Sequence, residues 1–125
     1  MKNKHKILIT EDNFIIALSM EEDLKEMGYN ICGKVTTGED AIEAARKCNP
    51  DLIFMDVLLA SDMDGIEAAH EIKKFKDIPI VFLTGYKDDE IQSRIDNFAP
   101  AGYLLKPTGR KEIESIINSI CTVSN

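Results

Sequence analysis

Strand-like and helix-like segments alternate along the whole chain, and this alternation constrains the fold more than any other feature. Lys6-Ile7-Leu8-Ile9-Thr10 reads as a buried strand. Asn13 to Met27 reads as a helix with Ile16, Met20, Leu24 and Met27 on one stripe, stopped by Gly28. Asn30 to Thr36 is a weaker second strand. Thr37-Gly38-Glu39-Asp40 has the form that opens helices, and Ala41, Ala45 and Cys48 give that helix its buried face before Asn49-Pro50 ends it. Asp51 to Met55 is a third strand, followed by a loop from Asp56 to Asp64. Ile66, Ala69, Ile72 and Phe75 mark a third helix, and Pro79 to Leu83 a fourth strand. Ile91, Ile95 and Phe98 stripe a fourth helix, and Ala101 to Leu105 is a fifth strand. Ile113, Ile116, Ile117 and Ile120 stripe a fifth helix, for which Thr108 is the expected N-cap.

Five strands alternating with five helices imply an α/β domain with a parallel sheet. The first, third, fourth and fifth strands are apolar on both faces, as expected where helices cover both sides. With 125 residues the chain suits one compact domain. It shows no internal repeat, low-complexity tract or linker, and Thr122 to Asn125 reads as a frayed end.

Charge and composition then exclude several classes. Lys+Arg number 15 and Asp+Glu 22, a net charge of −7. Such a chain is a poor direct ligand for nucleic acid or an anionic membrane surface. No segment approaches the ~20 apolar residues of a membrane span. Lys2, Lys4 and Lys6 are followed only by Ile7-Leu8-Ile9, too short for a signal peptide. Cys32, Cys48 and Cys121 form no C-x-x-C motif and read as packing residues of a cytoplasmic protein. His5 and His70 have no ligand-like spacing and read as surface residues.

In open parallel sheets, ligands bind beyond the carboxyl ends of the strands. Glu11 and Asp12 follow the first strand, and Asp56 the third. The fourth ends at Thr84-Gly85 and the fifth at Lys106-Pro107. Three carboxylates gathered there repel, each pair costing about 4 kcal/mol at ~4 Å and an effective dielectric of ~20. A hard divalent cation relieves that, and few oxygen ligands with room for water suit Mg²⁺. Metal ligands, a carboxylate nucleophile and an ammonium for an anion are the parts phosphoryl transfer needs. Each residue also has an ordinary alternative. Glu11-Asp12 suits a helix N-terminus, Asp56 a solvated loop, Thr84 a strand, and Lys106 any acid nearby. The compatible set at four strand ends favours the site.

Five motifs carry a family resemblance: Ile7-Leu8-Ile9-Thr10-Glu11-Asp12-Asn13, Pro50-Asp51-Leu52-Ile53-Phe54-Met55-Asp56, Met63-Asp64-Gly65-Ile66-Glu67, Pro79-Ile80-Val81-Phe82-Leu83-Thr84-Gly85 and Gly102-Tyr103-Leu104-Leu105-Lys106-Pro107. In this order and spacing the chain, from about Lys6 to Ile120, resembles the receiver domain of two-component response regulators. The resemblance implies a CheY-like, flavodoxin-like (βα)5 three-layer sandwich with strand order 2-1-3-4-5. It implies that Asp56 is the phosphoacceptor, with Thr84 and Lys106 on the phosphoryl group. It further implies that Asp12, Asp56 and the Leu58 backbone carbonyl hold Mg²⁺ or Mn²⁺, with Glu11 acting through water. Lys106-Pro107 is expected to be cis, and Tyr103 to be the switch aromatic that moves with Thr84. Leu58 and Tyr86 flank the line of attack on the phosphoryl group and are expected to shield it, giving slow hydrolysis.

The loop from Asp56 to Gly65 lacks the frequent Met-Pro and is one residue longer than the commonest form, and Gly85 replaces the usual alanine. The implied partners are a sensor histidine kinase or phosphotransfer protein and an unnamed downstream protein. The implied readout face joins the fourth helix, fifth strand and fifth helix, with a homodimer on activation open. The range 1–125 is expected to be one receiver domain with no output domain, either stand-alone or cut from a larger protein. It is expected to be a phosphoacceptor rather than an enzyme. An Asp-nucleophile phosphatase would need a second Asp two residues after its nucleophile, but Asp12 is followed by Asn13-Phe14. A flavodoxin-like phosphate loop would need Ser, Thr and Gly donors, whereas Glu11-Asp12 repels phosphate. A degenerate receiver conflicts with the intact five-residue site.

Overall fold

The computed structural model describes residues 5–85 and 88–121, without the side chain of Cys121. Ten elements alternate: β1 (Lys6–Thr10), α1 (Phe14–Glu26), β2 (Asn30–Val35), α2 (Gly38–Cys48), β3 (Leu52–Asp56), α3 (Gly65–Lys73), β4 (Ile80–Thr84), α4 (Asp89–Phe98), β5 (Gly102–Leu105) and α5 (Arg110–Cys121). All strand pairs are parallel, in the order β2-β1-β3-β4-β5. This is the (βα)5 sandwich expected from the sequence.

Strand alternation divides the core into two apolar layers. Leu8, Ile53 and Phe82 face Ala41, Ile72 and Phe98 of α2, α3 and α4. Ile9, Phe54 and Val81 face Met20 and Leu24 of α1 and Ile117 of α5. β3 and β4 are buried at every residue. No residue of β5 is buried, and Leu105 is half exposed. The apolar sequence of β5 predicts burial on both faces. Its edge position gives it a strand neighbour on one side only, which leaves it half covered.

Local chemistry sets the helix ends. Asn13 caps α1 by accepting from Ile16 N–H at 3.0 Å, and Thr37 caps α2 by accepting from Asp40 N–H at 3.1 Å. Gly28, just past α1, has φ +98°, a conformation that L side chains resist. Along α1, Ala17 is buried with Met20 and Leu24, whereas Ile16 and Met27 are half-buried. Phe14 and Ile15 are 70% and 76% exposed. The expected cap of α5 is corrected: Ile113 N–H bonds Gly109 O at 3.1 Å, so Gly109 is the capping position. Glu112 Oε1 accepts from Gly109 N–H at 3.2 Å, while the buried Thr108 hydroxyl has no hydrogen-bond partner among the described residues. A side chain reaching back from the helix thus replaces a hydroxyl reaching forward.

Cys32 and Cys48 are free thiols, and Cys48 Sγ donates to Cys32 O at 2.9 Å. Cys32 also packs against the core, consistent with packing roles, and burial pushes its thiol up to about 12. His70 is exposed and His5 partly so. Among the described residues, no helix is long and apolar enough to cross a membrane.

Candidate functional site

Strand register brings the polar residues together. Thr10 pairs with Met55, Asp56 with Leu83, and Thr84 with Leu105. The next residue along each chain path therefore emerges at one edge: Glu11 and Asp12 after β1, Asp56 at the end of β3, Thr84 at the end of β4, Lys106 after β5. The ladder bonds continue past the strands, with Val57 N–H to Leu83 O at 2.9 Å and Lys106 N–H to Thr84 O at 2.8 Å. Lys106-Pro107 is cis.

Asp56 and Glu11 are buried, 3% and 1% exposed, whereas Asp12 is exposed. Lys106 Nζ lies 3.0 Å from Asp56 Oδ2 and 3.1 Å from Glu11 Oε1. Leu58 N–H donates to Asp56 Oδ1 at 3.3 Å, and Asn13 N–H to Glu11 Oε2 at 3.0 Å. The repulsion inferred from sequence is therefore relieved in part by the protein's own lysine. Burial still dominates at Asp56: it pushes the carboxyl up to about 7, with Glu11 adding to the rise and Lys106 opposing it. Burial acts to lower the Lys106 pKa, but its bonds to Asp56 and Glu11 outweigh that and raise it.

Carboxylate oxygens of Glu11, Asp12 and Asp56 lie within 4.8 Å of one another. Oxygens grouped in this way could hold a divalent cation. The donors are hard, anionic and few, which fits Mg²⁺ or Mn²⁺. A cleft of about 190 Å³ opens beside them, lined by Asp12, Asp56, Val57, Leu58, Thr84, Gly85 and Lys106. Leu58 is 60% exposed at its rim. Tyr86 lies outside the described residues. Tyr103 is half-buried on β5, with its side chain packed against the core layer beneath α2, α3 and α4.

Sequence reasoning did not single out Gly65 as a packing requirement. A Cβ there would sit 1.9 Å from the Asp56 carbonyl oxygen, and Gly65 N–H bonds Val57 O at 2.7 Å. The start of α3 is thus seated directly on the backbone of Asp56. Its sequence signal is the capping box Asp64-Gly65-Ile66-Glu67, which marks the helix start but not the close approach.

The family model for the response regulator receiver domain matches residues 7–118. The chain belongs to the response regulator receiver domain family. This receiver domain is 38% identical over 102 residues to the transcriptional regulatory protein PdtaR of Mycobacterium tuberculosis, covering 82% of this chain and 49% of that protein. It is 35% identical over 115 residues to the response regulator protein VraR of Staphylococcus saprophyticus, covering 90% of this chain and 54% of that protein. The chain spans about half the length of the curated relatives it matches. Among solved structures, the signal receiver domain of a modulated diguanylate cyclase from Desulfovibrio desulfuricans superposes with a TM-score of 0.88 at 30% identity, covering 94% of this chain and 93% of that one. Chemotaxis protein CheY4 of Vibrio cholerae shares the fold, with a TM-score of 0.84 at 23% identity, covering 94% of this receiver domain and 99% of that chain.

Proposed function

We propose that this receiver domain accepts a phosphoryl group on Asp56 from a phosphohistidine of a sensor kinase or phosphotransfer protein. The observation that carries the reading is Asp56 itself, buried at a strand end between an acidic pair and Lys106 Nζ at 3.0 Å. An Asp56 carboxylate oxygen attacks phosphorus as the phosphorus–nitrogen bond breaks, and the bonding pair leaves with the imidazole. Lys106 then transfers its contact from the carboxylate to a phosphoryl oxygen, and the Thr84 hydroxyl donates to another. Asp12, Asp56 and the Leu58 carbonyl would hold Mg²⁺ or Mn²⁺, with Glu11 acting through water. A bound divalent ion supplies charge neutralisation for the carboxylates and phosphoryl oxygens. The domain assists its own modification and turns over no separate substrate.

The donor must bring its histidine to the cleft. Phe14 and Ile15, exposed on the first turn of α1 just after Asp12, offer an apolar ledge beside it. A cytoplasmic setting follows from such a donor and suits free Cys32 and Cys48. The acyl phosphate shifts a two-state equilibrium read on the α4–β5–α5 face, through joint movement of Thr84 and Tyr103. Leu58, with Tyr86, limits water at the phosphoryl group and lengthens the signal.

The test is incubation with acetyl phosphate and Mg²⁺ followed by intact mass. One phosphoryl group is expected on the parent and none on Asp56→Asn. Stoichiometric modification of that variant, or full modification in chelator, overturns the assignment. Faster decay in a Leu58→Asn, Tyr86→Glu double variant checks the shield, which equal decay refutes.

A further inference from the structure

α4 is held to the domain lightly. Its buried residues, Ile95 and Phe98, both lie in its C-terminal half. Towards the site, Ile91 is half-buried against the core. A further tie, among the described residues, is polar. Arg94 Nη1 lies 2.8 Å from Asp64 Oδ2, and Nη2 donates to Asp64 Oδ1 at 3.1 Å. This is a two-pronged pair between residues 30 positions apart, on elements that follow different strands.

Asp64 is no ordinary surface acid. Its Oδ1 accepts from Glu67 N–H at 2.8 Å, and Glu67 Oε1 accepts from Asp64 N–H at 2.9 Å, closing the capping box of α3. The next residue is Gly65, seated on the Asp56 carbonyl. On the other side, α4 begins at its Asp88 cap, four residues after Thr84. One ion pair therefore joins the N-cap of α3, directly before the residue seated on Asp56, to the second turn of α4.

We propose that the Arg94–Asp64 pair is a latch that holds α4 against the phosphoacceptor loop in the unphosphorylated domain and so restrains phosphorylation of Asp56. The proposal rests on the phosphoacceptor reading of Asp56. Movement of Thr84 towards a phosphoryl oxygen favours a displaced α4, and the latch resists that displacement. The side chains are 36% and 23% exposed, so water replaces their bonds at small cost, as a reversible tie requires. A brace made equally well in both states would shift nothing when removed. A latch made in one state favours that state, and its loss favours the other.

The experiment compares the parent with Arg94→Ala, Arg94→Lys, Asp64→Asn and the Arg94→Ala, Asp64→Asn double variant. Asparagine keeps the cap of α3 while losing the charge, which separates the latch from helix stability. Phosphoryl uptake from acetyl phosphate is followed by intact mass at saturating Mg²⁺. Amide exchange over residues 88–98 is read without the donor. Arg94→Ala and Asp64→Asn are each expected to speed uptake about three- to fivefold, the scale of a half-exposed bidentate pair. The double variant should be no faster than either single, because both remove one interaction. Lysine, which cannot reproduce the fork, should fall between parent and alanine. Exchange should quicken over 88–98. Unchanged or slower uptake, multiplied effects in the double, or unchanged exchange each overturn the latch. A parent that takes up no phosphoryl group overturns instead the reading of Asp56 on which the latch rests.

Discussion

α3 and α4 follow adjacent strands whose ends line the same cleft, yet they are attached very differently. Five of the nine residues of α3 are buried: Gly65, Ile66, Ala68, Ala69 and Ile72. In α4, ten residues long, only Ile95 and Phe98 are. Both helices start at an aspartate cap, but α3 closes the box with Glu67, whereas α4 carries apolar Ile91 at the equivalent place. α4 ends at Ala99 with φ 58°, a left-handed conformation without the glycine that suits it. The Asp56 side of the cleft is thus built to stay, and the Thr84 side to yield. On the proposed function this suits both parts: the phosphoacceptor meets its donor in one geometry, and the readout helix can move.

The sharpest break of this contrast is Gly65→Ala. The added carbon meets backbone at 1.9 Å rather than a pliable side chain. A loss of more than about 3 kcal/mol in urea unfolding is expected, with weaker phosphorylation in whatever folds. A loss under 1 kcal/mol would mean that α3 can shift off Asp56. Next come two truncations of the same side chain. Ile72→Ala on α3 should cost about 3 kcal/mol, and Ile91→Ala on α4 about 1 kcal/mol. Equal losses would erase the distinction between the helices.

The third test concerns charge. The folded pKa of Asp56, about 7, lies above its ordinary 3.8. The folded state therefore holds the proton more tightly than the unfolded state. In chelator, this group's contribution to stability falls as pH rises from about 4 to 7 and is flat above that. Asp56→Asn should be more stable than the parent at pH 8, an advantage that vanishes towards pH 4. Melting curves at the two pH values check the sign. The smallest effect is expected at Ala99→Gly, which should stabilise by about 0.5–1 kcal/mol by relieving the left-handed residue at the end of α4. Destabilisation would mean that the alanine methyl packs usefully there.

Much of this architecture is legible in the sequence because it depends on pattern. Alternating periodicities locate all ten elements, and the residue after each strand falls where the parallel register puts it. The parts that escape the sequence depend on distance. Lys106 could have paired with any acid; that it bridges Glu11 and Asp56 follows from the cleft's width. Thr108 looks like a better cap than Gly109, and only the reach of Glu112 reverses that. Leu104-Leu105 has the apolarity of an interior strand, but its edge position leaves Leu105 half exposed. Nothing in the spacing of Asp64 and Arg94, on separate helices, announces their contact.

The light attachment of α4 also has a consequence for divergence. Most positions along α4 bury little, so substitutions there cost little stability and can accumulate without unfolding the chain. Positions such as Gly65 admit almost no change. On the proposed function, a lineage starting from this domain can therefore rewrite what α4 presents to partners while the chemistry proposed for Asp56 stays as it was. On that reading, new listeners would be acquired by editing α4, and the phosphoryl chemistry would be inherited with the start of α3.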